Sequence, residues 1–425
     1  MSYDALMPLE LTKRLQLSTP MSEPRPAFSV PLFAAFQALM VLGYAVQPHR
    51  YRPLIFIPIA SISYYLIFHT DAGVAGFGIG DGIAAQTLYA FECLVLMDVQ
   101  KSLYRIGEKP GQIETTSFSK RLSWSWHLYN SPRGVRWAHE ISHIPKNTPA
   151  LDAPEGKKAF ILSRILTTCS CVALQGVLFV INSANPALVP GAPRLINQSL
   201  YIRILSLAGL AIPAYAQINV LHCLTSIICV AAGFSEPVDW PPLFGSPALM
   251  YSVQSFWRNV WHQMLRRPVL TISNLILHTL LRLPRPSLKS KPNYFTQLIG
   301  LLKLHTAFLI SACVHFTGEY MMQGYPSFGA FKFFALQSWA ITFEIIVKYL
   351  ITGSTRTQTQ SGDGNKSKGA KSVIWRILGY AWVISWFVAV AHHMQQPMID
   401  AGIFVGLEDS ELTRRVGKWL ALEVI

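Results

Sequence analysis

The sequence predicts an all-α polytopic membrane protein with about eight transmembrane helices, a re-entrant or interfacial segment and large cytosolic loops. Three observations carry this expectation. Of 425 residues, 51% are hydrophobic and only 14% charged, a balance outside the range of ordinary soluble domains. Runs of about 20 apolar residues, long enough to cross a hydrocarbon core of roughly 30 Å, recur along the chain. The Lys and Arg residues behind a formal net charge of +14 sit in loops between these runs, as the positive-inside rule expects, and not on one basic nucleic-acid-binding domain.

Residues 1–26 read as a polar tail interrupted by Pro20, Pro24 and Pro26, so no cleavable signal peptide is expected and the first apolar run acts as the insertion signal. One multi-span domain is expected over 27–395, followed by a tail at 396–425. Spans are expected at 27–46, 52–69, 74–98, 159–181, 201–232, 296–322, 331–351 and 373–393, with Pro213 kinking the long fifth one. The run Pro268 to Leu283 is short for a crossing. If it does not cross, the loops 48–53, 100–158, 235–295 and 352–372 share a face holding 23 Lys and Arg against 7 on the other. That asymmetry favours eight spans with the basic face cytosolic.

Between spans, residues 354–371 are rich in Ser, Thr, Gly, Gln and Lys and read as a flexible connector. The sequon Asn197-Gln198-Ser199 falls on the expected lumenal side. All six cysteines lie in apolar runs, as buried single thiols rather than a disulfide framework or zinc site.

Two stretches carry candidate chemistry. In the run Leu304–Tyr320, His315 is an ionisable group within a span, which faces either a functional cavity or a hydrogen-bonding neighbour in the bundle. Ser311 and Glu319 lie one turn before and after it, so Glu319 is a candidate to orient the imidazole. Cys313, two residues from His315, points elsewhere around the helix.

The second stretch, Val253–Arg267, reads as an amphipathic interfacial helix. Val253, Phe256, Trp257, Val260, Trp261 and Met264 form its apolar stripe; Ser255, Arg258, Asn259, His262 and Arg266 form its polar face. Arg258 and Arg266, one turn either side of His262, are expected to disfavour the imidazolium form. Their forked donors also suit phosphate groups. Asp81, Glu92, Asp98, Asn219, His222 and Glu344 either line a chamber or hydrogen-bond between helices. His392 and His393 are expected at the interface, not on a metal.

These residues resemble motifs of a known family. Ser131-Pro132-Arg133-Gly134-Val135-Arg136-Trp137 looks like an Arg-Gly-x-Gly-Trp motif. Phe256-Trp257-Arg258-Asn259-Val260-Trp261-His262-Gln263 looks like a Phe-Trp-x-x-x-Trp-His/Asn-Gln motif, and Ser311-Ala312-Cys313-Val314-His315 like a Ser-Gly-x-x-His motif. Together, in this order, they resemble the wax synthase-like branch of the membrane-bound O-acyltransferases, which includes fungal-type acetyltransferases of terpenoid and meroterpenoid pathways. Arg136 and Ala312 stand where the pattern has glycine, which bears on how closely helices or ligand approach.

The resemblance implies that His315 is catalytic and His262 a second polar residue of the site. It implies acetyl-CoA as co-substrate, a lipophilic alcohol as acceptor, no tightly bound cofactor, no metal and no nucleic acid, in the endoplasmic reticulum membrane. Arg258, Arg266, Gln263, Trp261, Ser311 and Glu319 are then candidates for contact with substrate or coenzyme A. Two other readings are a long-chain wax ester synthase and a transporter; the absence of internal repeats speaks against the transporter.

Overall fold

The computed structural model describes residues 24–152, 156–285, 293–352, 366–405 and 410–420. Among these residues the regular structure is helical, with no strand. Seven segments are long and apolar enough to cross a membrane: Arg52–His69, Gly73–Leu96, Lys157–Ser183, Leu200–Ala231, Tyr294–Gln323, Gly329–Ile351 and Val373–Asp400. They coincide with seven of the eight expected spans. The eighth, at the start of the chain, is helix α1 (Val30–Ala45), whose 16 residues rise only about 24 Å.

The remaining principal helices are α2 (Phe56–His69), α3 (Gly76–Phe91), α4 (Phe118–Tyr129), α5 (Lys157–Ser183), α6 (Leu200–Ala231), α7 (Arg266–Asn274), α8 (Tyr294–Gln323), α9 (Gly329–Thr352), α10 (Lys366–Asp400) and α11 (Glu411–Trp419). Pro213 sits inside α6, as expected, and Pro397 inside α10. α5 pairs with α6, α3 with α8, and α8 with α9, while α9 packs on α10.

Several boundaries differ from expectation. α10 starts at Lys366 and runs to Asp400, so the last third of the expected 354–371 connector is helical and the final span extends past residue 393. Residues 353–365 and most of the expected 1–26 tail lie outside the described residues. The expected 396–425 tail contains a real helix, α11, which packs on α5. The run at 268–283 belongs to a helical stretch from Arg266 to Leu280, α7 followed by a π-helical turn over Leu275–Leu280. Cys169 and Cys313 lie on exposed helix surfaces rather than buried, and all six thiols are free.

α8 is the central element. Asn293 and Thr296 form a reciprocal capping box at its start, and Gly324, with φ +82°, ends it in the left-handed conformation that glycine accepts without a Cβ penalty. Its crossing with α3 is built on small residues. A Cβ on Gly80 would lie 2.8 Å from Gly318 Cα, and one on Gly76 would lie 2.9 Å from Met322 N. The two backbones thus touch, as helices in lipid do when glycines face one another. Asp81 follows Gly80 directly.

The two large loops interlock. Arg133 donates to the carbonyls of Pro241 and Pro242, each at 2.8 Å. Arg136 pairs with Glu236 at 2.7 Å. Arg164 donates to Asn147 and to the Trp240 carbonyl, both at 2.8 Å. The segments around 133–147 and 236–242 therefore lie on one side of the bundle, as the charge distribution requires.

Candidate active site

His315 Nδ1 meets Asp81 Oδ2 at 2.6 Å across the α3–α8 crossing. The imidazole also stacks on the Phe334 ring of α9, with centroids 3.7 Å apart and planes within 9°. One ring nitrogen is thereby held by a carboxylate and one ring face by an aromatic plate, which fixes the direction of Nε2. A carboxylate accepts, so the neutral imidazole carries its proton on Nδ1 and presents a lone pair at Nε2.

Gly318 makes this contact feasible. It lies one turn after His315, and a Cβ there would drive into the Asp81 carboxylate and the Phe77 carbonyl. The absence of a side chain at 318 is what lets the carboxylate lie against α8.

Glu319, expected to orient His315, has a different task. It is 1% exposed and accepts hydrogen bonds from the backbone N–H of Gly329 at 2.9 Å, from that of Ala330 and from the Ser327 hydroxyl. It caps the start of α9, supplying from a neighbouring helix the acceptors that the first N–H groups of a helix lack. Phe334 lies on that same helix.

The Val253–Arg267 segment is not one amphipathic helix. It forms one turn over Val253–Ser255, a π-helical turn over Phe256–Val260, and then leaves the helix until α7 begins at Arg266. The break changes which way each residue faces. Trp261 enters an aromatic cluster with Phe244 at 5.1 Å and Phe256 at 5.7 Å. Trp257 packs on Phe334 at 5.7 Å, so this segment and His315 share one aromatic plate. Gln263 is buried; its amide donates to the Arg258 carbonyl and its carbonyl accepts from Arg266 at 2.7 Å, bracing the break.

His262 points into the protein, its ring 6.0 Å from Phe244 and its Nδ1 buried without a partner among the described residues. Burial holds its pKa down at about 3, with His315 and Arg133 adding to the effect. His262 is thus neutral, as expected, but not because of Arg258 and Arg266. Those two turn the other way. Arg258 bonds the His143 ring at 2.7 Å, and Arg266 bonds the Ser142 carbonyl at 2.9 Å. Together with His143, whose proton affinity is reduced by burial and by both arginines, they make a basic surface cluster outside the His262 pocket. Ser311 is on α8, one turn before His315, and Cys313 is exposed on the same helix.

α3 ties all three motifs together. Besides Asp81 on His315, the Tyr89 hydroxyl bonds the Pro132 carbonyl at 2.8 Å and reaches the Met264 carbonyl. Just beyond α3, Glu92 pairs with Arg267 at 3.0 Å and accepts from Thr271 at 2.8 Å. Of the other polar residues in spans, Asp98 pairs with Arg52 at 2.9 Å and Glu344 accepts from the backbone N–H of Val253 and Gln254. Asn219 bonds back to Tyr215, and His222 packs on Trp240. Arg136 has φ +61°, a conformation natural to the glycine it replaces; its N–H donates to Glu140 at 2.9 Å. Asp81 is the residue that sequence reading left undistinguished. Its adjacency to Gly80 hinted at a close crossing, but no local pattern connects it to His315.

The chain is similar to known proteins over most of its length. The model of the membrane bound O-acyl transferase family matches residues 240–336, the stretch holding His262 and His315. The chain is 29% identical over 378 residues to the acetyltransferase eriL of Hericium erinaceus, covering 88% of this chain and 91% of that protein. It is 28% identical to the acetyltransferase ple2 of Rhodocybe pseudopiperita, covering 85% and 88%. A third relative is the O-Mevalon transferase macI of Penicillium terrestre, 28% identical over 79% of this chain and 75% of that one. No solved structure matches. The transporter reading is set aside: this chain is an integral membrane, acyl-transferring enzyme that resembles the membrane bound O-acyl transferase family and, over most of its length, acetyltransferases of fungal secondary metabolism.

Proposed function

We propose that the enzyme transfers an acetyl group from acetyl-CoA to a hydroxyl of a lipophilic terpenoid or meroterpenoid, with His315 as general base, in the endoplasmic reticulum membrane. Residues 27–395 act as one catalytic domain with its basic loops in the cytosol. The observation that carries the chemistry is the Asp81–His315 contact at 2.6 Å, and the relatives named acetyltransferases support an acetyl donor.

In this reading, His315 Nε2 removes the acceptor's hydroxyl proton as that oxygen forms a bond to the thioester carbonyl carbon. The carbon–sulfur bond breaks, and the imidazolium returns the proton to the departing thiolate, so ester and free coenzyme A leave with His315 restored. Such base assistance contributes about 10²- to 10⁴-fold. Asp81 stabilises the transient imidazolium and keeps Nε2 unprotonated between turnovers. Neutral His262 carries one N–H with which to hold the thioester oxygen as negative charge develops there. Arg258 and Arg266 meet coenzyme A phosphates at the surface, to which planar forked donors are suited.

Microsomes containing the enzyme, supplied with labelled acetyl-CoA and a panel of terpenoid alcohols, test this. The expected result is an acetyl ester with wild type and none above background with His315→Ala. Ester formation only from long-chain acyl-CoA and fatty alcohol would replace the proposed substrates.

A further inference from the structure

The far end of α8 from the Arg258–Arg266 cluster holds a cavity with polar side chains in its lining that acyl transfer does not use. Its volume is about 340 Å³, and Arg194, Lys332, His392, His393, Gln396 and Asp400 are among the residues lining it. It lies where α8 ends at Gln323, α9 begins at Gly329 and α10 ends at Asp400, at the depth of lipid headgroups if these helices span the bilayer.

The composition of this cavity is unusual for its face. Arg194 is the one Lys or Arg in the segment 184–199, and Lys332 the one in the first three turns of α9. Both line the same cavity, yet neither forms an ion pair or side-chain hydrogen bond among the described residues. Arg194 lies within electrostatic reach of Asp400 and Lys332 within that of His393, but the guanidinium and ammonium keep their N–H donors free at one recess, which suits an anion.

The same recess offers acceptors. His392 Nδ1 lies 2.9 Å from the Ala389 carbonyl; a carbonyl only accepts, so Nδ1 donates and the neutral ring keeps an accepting lone pair at Nε2. Asp400 Oδ1 accepts from Gln396 at 2.9 Å, while Gln396 accepts from Leu195 N at 2.9 Å, which fixes the carboxylate and ties the 184–199 segment to α10. A ligand that satisfies both the cations and the acceptors carries a phosphate and, a few bonds away, N–H donors.

We propose that this cavity binds a phosphoethanolamine headgroup, with the phosphate on Arg194 and Lys332 and the ammonium on Asp400 and His392. Its source is a membrane phospholipid, because the cavity opens among the ends of three spans. Choline headgroups fit less well, since a quaternary ammonium has no N–H to give Asp400 or His392. The bound headgroup braces the first turns of α9, where Lys332 stands two residues before Phe334, the ring stacked on His315.

The test uses full-length enzyme in nanodiscs of mixed phosphatidylethanolamine and phosphatidylcholine, released for native mass spectrometry. The expected result is retention of phosphatidylethanolamine over phosphatidylcholine by at least fivefold, abolished by Arg194→Ala with Lys332→Ala and reduced by Asp400→Asn. Equal retention of the two lipids, or retention unchanged by these substitutions, would overturn the proposal. Titration of free O-phosphoethanolamine into pure phosphatidylcholine nanodiscs separates the sources. Saturable binding there, with no lipid retained in the first measurement, would overturn the membrane source.

Discussion

His315 and Asp81 are separated by 234 positions in the chain yet meet at 2.6 Å, because two glycines let α3 and α8 touch. The acidic partner of the candidate base therefore comes from another helix, whereas the carboxylate beside it in sequence, Glu319, caps α9.

Gly318→Ala tests the crossing. The added methyl collides with the Asp81 carboxylate, so the carboxylate must move off the imidazole or the helices must part. Overpacking of this kind costs roughly 1–3 kcal/mol. Expected are a lowered melting temperature and a kcat reduced at least tenfold in the protein that remains folded, measured by thermal unfolding and ester formation on the same preparation.

Glu319→Gln separates a capping role from a catalytic one. An amide offers one accepting oxygen where the carboxylate serves three donors, so one buried N–H or hydroxyl loses its partner at about 1–3 kcal/mol. The melting temperature should fall while kcat of the folded enzyme stays within a few-fold of wild type. A collapse of kcat at unchanged stability would return Glu319 to the site.

Arg258→Ala probes the basic surface cluster. A charge-assisted bond to phosphate is worth about 1.5–3 kcal/mol, so KM for the acyl-CoA should rise about tenfold or more while kcat changes little. Equal KM values for acetyl-CoA with and without the arginine would remove this cluster from donor binding.

Acid stability should depend on His139. It is packed against Gly134 and Trp137 with both ring nitrogens buried and without partners among the described residues. Burial lowers its pKa to about 3, with Arg267 adding to the effect. Its ordinary pKa is about 6.5, so between these values the unfolded chain binds a proton that the folded one excludes. Stability is therefore full above about 6.5 and falls as pH drops toward 3, at up to ~1.4 kcal/mol per pH unit from this residue. His139→Asn should flatten the decline of melting temperature between pH 6.5 and 4.5.

The spans were legible because lipid imposes length and apolarity on each segment independently of its neighbours; α2 and α5 lie where hydropathy alone puts them. His315 was legible for the complementary reason, as a polar residue within such a run. The face of His262 was not. A helical wheel over 253–267 presumes a continuous helix, and the break after Val260 is held by Gln263 on Arg258 and by aromatic packing of Trp261, neither of which has periodicity. Asp81 was not singled out from the other intramembrane polar residues because its meaning lies in the Gly80–Gly318 crossing, a contact between distant segments.

The most direct measurement is kcat for acetyl transfer by purified Asp81→Asn and His315→Ala enzymes, each checked for acetyl-CoA binding and thermal stability. With binding and fold retained, the account predicts no turnover above background in His315→Ala and a fall of about 10²-fold or more in Asp81→Asn, with KM for acetyl-CoA nearly unchanged. Turnover near the wild-type rate in either folded variant would contradict it.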